Sequence, residues 1–216
     1  MHCYIDRTNF NDPAKTVAYD DLLLQQAKPK EVILRLWEPS CDFVVLGKSN
    51  NPLNEVYVDR CHKEGIPIIK RCSGGGTVFQ SSGVINYAIV APHHPPFDSI
   101  QACNREIMTM VKDVLSDDQL SLAIQGYTDL TYQGKKCCGN AQRRTLSHFL
   151  FHGSILVDID LGKISHYLKH PSREPDYRKG CSHQDFLCHL PLKKAEVYRR
   201  LARISLRFNT SYFANE

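Results

Sequence analysis

Two short stretches of this 216-residue chain gather residue types that handle anions. The first is Lys70-Arg71-Cys72-Ser73-Gly74-Gly75-Gly76-Thr77-Val78-Phe79, a basic pair and then three consecutive glycines leading into an apolar run. Glycine adopts backbone angles that other residues resist and lets a ligand lie on the main chain, so its N–H groups can face an anion. The cluster has neither the P-loop pattern nor the Rossmann spacing. It reads as a flexible surface turn or as a ligand loop, and Arg71 tips the balance toward a ligand. The second stretch is Gly134-Lys135-Lys136-Cys137-Cys138-Gly139-Asn140-Ala141-Gln142-Arg143-Arg144, with His152-Gly153-Ser154 downstream. Two lysines just past a tight turn, followed by Gly-Asn, would hold a cation and donors near a phosphate or carboxylate. By itself it fits a solvated hairpin tip better, since exposed charges are usually hydrated.

The elements that must position these stretches are a mixture of helices and strands. Asp12 and Pro13 form a cap and first-turn pair for a helix over residues 13–27, with Val17, Ala18, Leu22 and Leu24 marking its amphipathic course. Val32–Trp37 and Phe43–Leu46 are β-rich runs separated by Glu38-Pro39-Ser40, which predicts a hairpin. A helical stretch around Glu55 to Lys63 leads through Gly65 to a strand at 66–69, and Val84–Val90 is another strand, so the glycines lie between two strands. Residues 91–97, with three prolines, read as irregular, and Asp98 or Ser99 caps a helix whose Ile100, Cys103, Ile107, Met110, Val111 and Val114 share a face. Further strands fall at 130–132, 135–138 and 149–159, with a Gln133-Gly134 turn, and Val197, Leu201 and Ile204 mark a last helix. Neighbouring strand runs without strict βαβ alternation predict an α+β fold with mixed or antiparallel sheets and flanking helices.

Composition narrows the function classes. A hydrophobic content of 42% over 216 residues suits one domain with a substantial core, spanning 1–216. The net charge of +4 leaves no nucleic-acid footprint. No apolar run approaches the ~18 residues of a membrane helix, and the start at Met1 lacks the regions of a signal peptide, so a cytoplasmic protein is expected. Nine scattered cysteines read as reduced thiols, not as a disulfide framework.

Taken in order, the motifs resemble the biotin/lipoate protein ligase superfamily, and its lipoate–protein ligase branch in particular. The resemblance runs from about Val17 to Leu190 through Asp20-Asp21-Leu22-Leu23, Leu34-Arg35-Leu36-Trp37, Gly47 with Asn50-Asn51-Pro52, the glycine loop, Asp129-Leu130, the lysine motif and His152-Gly153-Ser154. It implies the catalytic-domain fold shared with biotin ligases and distantly with class II aminoacyl-tRNA synthetases. It also implies that ATP, magnesium and lipoic acid are used to form lipoyl-AMP, and that the acyl group passes to a lysine of a carrier. The carriers implied are lipoyl domains of 2-oxoacid dehydrogenase complexes or the glycine cleavage H protein.

By the same resemblance Lys136 is the catalytic lysine and Lys135 its basic neighbour. The acyl and adenylate site is expected from Arg71, Ser73, Gly74, Gly75, Gly76, Thr77, Val78 and Phe79, joined by Asn86, Gly139, Asn140, Ala141, His152 and Gly153. Asp129 is expected near the nucleotide and the metal. Family members usually carry histidine where this chain has Gln80, which can hydrogen-bond but cannot hold a positive charge. Larger members carry a C-terminal accessory domain that closes the site; with the last matched motif close to Glu216, none is expected here, and a small accessory protein is the substitute.

Two rival readings accompany this one. A cysteine-dependent octanoyl- or lipoyltransferase of the superfamily would need a nucleophile upstream of the lysine, and 121–135 contains no cysteine; Cys137 and Cys138 read as small strand residues. A non-catalytic acyl- or nucleotide-binding homologue is favoured only by Gln80. Cys181, His183, Cys188 and His189 could gather as a structural zinc site, although their spacing is not that of a finger. The charged segment 173–179 reads as a solvated loop or as a contact for an acidic carrier. An apolar tunnel for lipoate would be lined much like one for octanoate, so both acids stay open.

Overall fold

The computed structural model describes residues 2–208, with the backbone alone at His2. In chain order the elements are β1 (His2–Asp6), α1 (Pro13–Gln26), β2 (Glu31–Trp37), β3 (Phe43–Leu46), α2 (Pro52–Glu55), α3 (Val58–Lys63), β4 (Ile68–Lys70) and β5 (Val78–Gln80). They continue with β6 (Val84–Pro92), α4 (Ile100–Leu115), β7 (Ala123–Gln125), β8 (Asp129–Tyr132), β9 (Lys135–Arg144) and β10 (His148–Leu156). After these come α5 (Leu161–Tyr167), a 3-10 turn at Asp176–Arg178, α6 (His183–Phe186), α7 (Lys194–Ala202) and α8 (Ile204–Arg207). The expected α+β class is what the chain adopts.

A seven-stranded sheet runs β1-β2-β6-β10-β9-β8-β7, and a smaller one runs β4-β3-β5. Among the described strand pairs, only β1–β2 and β3–β4 are parallel. The near-continuous apolar run of β6 follows from burial on both faces. Its Ile85, Tyr87, Ile89 and Ala91 join the large core with α4 and α7. Its Ala88 and Val90 meet Leu23 and Leu24 of α1 on the other face. Asp12 caps α1 by accepting from the Ala14 and Lys15 amides, and Ser99 caps α4 by accepting from Ala102, as the sequence indicates.

Two expectations need correction. The runs 32–37 and 43–46 are strands but not a hairpin: β2 pairs with β6 and β1, whereas β3 pairs with β4 and β5. Residues 91–97 are not wholly irregular, because β6 continues through Ala91 and Pro92 against Phe149 and His148. The β2 ladder ends at Val90, so Pro92 sits where one side of β6 is unpaired and a missing N–H costs nothing. The sequence reading also passed over β1, which adds the parallel edge strand beside β2.

Candidate active site

Both chemistry-bearing stretches reach one region, by different routes. The Arg71–Thr77 loop connects β4 to β5 in the small sheet, while Lys136 stands near the start of β9 in the large one. Gln133 and Gly134 turn β8 into β9 with φ of 50° and 78°, the left-handed pair of a tight hairpin. The β8–β9 register then passes from Thr131↔Lys136 to Leu130↔Cys138, leaving Cys137 out of the pairing. A bulge of this kind re-aims side chains near a site. Here Lys136 turns inward, Lys135 stays exposed, and Cys137 and Cys138 are buried.

Two cavities meet at Lys136. The narrower, about 130 Å³, runs between Val17, Trp37, Val45, Tyr87 and the residues Arg71, Asn86, Ala141, His152 and Gly153. The wider cleft, about 390 Å³, lies over Phe79, Tyr127, Thr128, Asp129, Arg173, Glu174, Arg178, His183 and Phe186. Gly76, Thr77, Val78, Lys136, Gly139, Asn140 and Ser154 border both. Of the expected site residues, only Ser73, Gly74 and Gly75 line neither cavity.

Those three instead build the loop. Arg71 donates from Nη2 to the carbonyls of Gly74 and Gly76, the latter at 2.9 Å, and from Nε to Ser73 Oγ at 2.9 Å. Ser73 Oγ is also 2.7 Å from His152 Nε2, and His152 Nδ1 is 2.8 Å from Asp20 Oδ2. Asp20 Oδ1 in turn accepts from Arg35 Nη1 at 2.6 Å. With Nδ1–H donating to Asp20, His152 presents Nε2 as an acceptor, so Ser73 donates to His152 while accepting from Arg71. This chain of bonds fixes the glycine loop to α1 and the large sheet. Burial lowers the Arg71 guanidinium to about 10. Burial pushes the Asp20 carboxyl up, but the His152 hydrogen bond and Arg35 outweigh it and hold it below its ordinary value.

Gln80 occupies a neutral network. Its side chain exchanges hydrogen bonds of 2.9 Å with Asn86 in both directions and donates to Ser154 Oγ at 2.9 Å, while Ser154 donates to Asn86 at 2.6 Å. Asn140 accepts from Tyr87 and donates to the Thr128 carbonyl at 2.7 Å, tying β9 to the loop before β8. Lys136 Nζ lies 2.8 Å from Asp129 Oδ1, and Tyr177 donates to Asp129 Oδ2 at 2.8 Å.

The remaining expectations divide. Segment 173–179 is only in part a solvated loop: Arg173, Glu174, Asp176 and Lys179 are exposed, yet Arg173, Glu174, Pro175 and Arg178 also wall the wider cleft. Arg178 is buried, its guanidinium 4.7 Å from the Phe186 ring centroid. The zinc reading fails among the described residues, where no group of three metal-binding side chains gathers. His183 and His189 turn to the carbonyls of Lys169 and Ile159. No disulfide joins the cysteines among the described residues, and no helix there is long and apolar enough to cross a membrane.

Sequence reasoning quoted Asp20 and Arg35 within motifs but gave them no role. Their signals were an acid on the apolar face of α1, beside Val17 and Leu24, and a base inside the apolar run of β2. Tyr127, Tyr177, Arg178 and Phe186 carried no such signal.

A mixed-sheet α+β domain whose narrow cavity opens at a lysine beside a broader cleft has the fold of lipoate–protein ligase catalytic domains. The chain aligns with a crystal structure of lipoate–protein ligase A bound with ATP at a TM-score of 0.85 and 21% identity, covering 97% of this chain and 86% of that one. A bipartite lipoate protein ligase from Thermoplasma acidophilum, studied with its E2 lipoyl domain, aligns with a TM-score of 0.85, 22% identity and coverage of 97% and 84%. In sequence the chain is 29% identical over 172 residues to lipoate-protein ligase A of Psychrobacter cryohalolentis, over 79% of this chain and 49% of that protein. It thus spans about half the length of the curated relatives it matches. Residues 12–191 match the lipoyl protein ligase A/B catalytic domain, and the chain belongs to that family.

Proposed function

We propose that this chain is the catalytic domain of an ATP-dependent lipoate–protein ligase working in the cytoplasm. The observation that carries the reading is the convergence of a narrow, partly apolar cavity and a wider cleft on Lys136. An apolar acyl chain suits the first, with its carboxylate reaching the lysine. A nucleotide suits the second, with its phosphates near Thr77, Gly139 and Lys136.

In the first half-reaction the lipoate carboxylate attacks the α-phosphorus of ATP, releasing pyrophosphate and leaving lipoyl-AMP. Two anions must approach, so the protein's contribution is positioning and positive charge. Lys136 and the amides of Gly76 and Thr77, which border both cavities, supply that charge, and Arg71 holds the loop in shape through Gly74 and Gly76. In the second half-reaction the ε-amine of a carrier lysine attacks the mixed anhydride and AMP departs. Lys136 stabilises the charge developing on the carbonyl and phosphate oxygens. The carriers proposed are lipoyl domains of 2-oxoacid dehydrogenase complexes or the glycine cleavage H protein, and the relative studied with an E2 lipoyl domain supports that class. A small accessory protein that closes the site over the adenylate would raise the first rate by excluding water.

Magnesium, when bound, neutralises phosphate oxygens. Asp129 already engages Lys136 and Tyr177, and no three-ligand group is found among the described residues. These residues fit an ion carried in by the nucleotide with Asp129 as a single carboxylate ligand, not a protein-built cage. The test is lipoate-dependent exchange of labelled pyrophosphate into ATP by the purified chain. Exchange supports the ligase; nucleotide binding without exchange supports a non-catalytic homologue.

A further inference from the structure

Tyr177 lies 41 positions beyond Lys136 in sequence yet enters its immediate surroundings. The 3-10 turn that carries it belongs to the wall of the wider cleft, through Pro175 before it and Arg178 after it. Its ring packs at a tilt against Phe186, with centroids 5.1 Å apart, and Phe186 borders the same cleft. The wall also touches the lysine strand directly: Leu187 forms a bridge with Lys136, and the Cys188 amide donates to the Lys136 carbonyl at 2.9 Å.

The Asp129 carboxylate is divided between two partners. Oδ1 faces Lys136 Nζ and Oδ2 accepts from the Tyr177 hydroxyl, each at 2.8 Å. A carboxylate on a short side chain can rotate about its terminal torsion, and a second anchor on the other oxygen removes that freedom. Burial and the neighbouring carboxylate both push the Tyr177 phenol upward, which keeps it the donor.

We propose that Tyr177 is a positioning residue for the reaction: acting through Asp129, it aims the Lys136 ammonium at the junction of the two cavities and couples that aim to the wall of the nucleotide cleft. This inference rests on the reading of Lys136 as the reactive cation. Tyr177 touches no reacting atom itself.

Tyr177→Phe keeps the ring against Phe186 and removes only the hydroxyl. Transfer from preformed lipoyl-AMP to a lipoyl domain should then fall in kcat by about 10-fold, the scale of a lost hydrogen bond to a charged group, with KM for the carrier within twofold. In an Asp129→Ala background the same substitution should add nothing, because its route to Lys136 is gone. A second measurement needs no turnover: competitive acetylation read by mass spectrometry, with Lys135 as internal reference. Tyr177→Phe should raise labelling of Lys136 relative to Lys135 at least threefold. An unchanged labelling ratio, additive losses in the double variant, or normal kcat overturns the proposal. If the wild-type chain transfers no acyl group, the ligase reading fails, and the labelling ratio alone decides the role of Tyr177.

Discussion

A Cβ added to Gly139 would lie 2.7 Å from Cε and 2.8 Å from Nζ of Lys136. The absence of a side chain at Gly139 is therefore what lets the lysine lie along its own strand toward Asp129. Gly139→Ala meets only the far end of a flexible side chain, so the fold should tolerate it. The ammonium must move, however, and displacements of this order cost up to ~10²-fold in rate. The expected outcome is a melting temperature close to wild type with acyl transfer reduced at least ~10-fold; normal transfer would mean that Lys136 is not held where it acts.

Removing the charge tests the same residue directly. Lys136→Ala should leave a folded protein and lower acyl transfer by at least ~10²-fold, the usual cost of losing one preorganised charge stabiliser. Lys135→Ala, which alters an exposed side chain bordering neither cavity, should change turnover much less. Steady-state rates for both variants separate the two lysines.

Asp20 and Arg35 form a buried ion pair, with Arg35 fully inaccessible. Asp20→Ala strands that guanidinium and should cost ~3 kcal/mol or more in denaturant unfolding. The pH dependence has a definite sign. Because the folded-state carboxyl is held below its ordinary value of 3.8, its stabilisation is present above that value and disappears as pH falls through the lower one. The stability gap between wild type and Asp20→Asn should therefore be constant near neutrality and narrow below about pH 4.

Cysteine chemistry is excluded by a different set of variants. Burial pushes the Cys138 thiol up to about 12, and Cys137 is raised by its hydrogen bond to Cys188 and by burial. Cys188 is lowered by its bond with Cys137, but it borders neither cavity. Replacing all three with alanine or serine should preserve most activity in any variant that folds, and product should require ATP and magnesium. Trapping an acyl-thioester on the wild-type protein would turn the account toward a transferase.

Local signals carried much of this architecture. The Asp12 and Ser99 caps, the α4 face and the Gln133-Gly134 turn were readable because each depends on neighbours within a few residues. The partner of β3 was not, since the connection after β2 says nothing about which sheet receives the next strand. The same division holds in the site. Arg71 and Lys136 stand in compact motifs, whereas Tyr177 and Arg178 sit in a charged stretch that resembles solvated loop. Their burial depends on Asp129 and Phe186, which only tertiary folding brings to them.

The most direct test of the account is the mass of a lipoyl domain incubated with this chain, ATP, magnesium and either lipoate or octanoate. The account predicts one added acyl group on a single lysine, dependent on ATP and lost in Lys136→Ala. An unmodified domain under these conditions, while supplied lipoyl-AMP also goes unused, would contradict it.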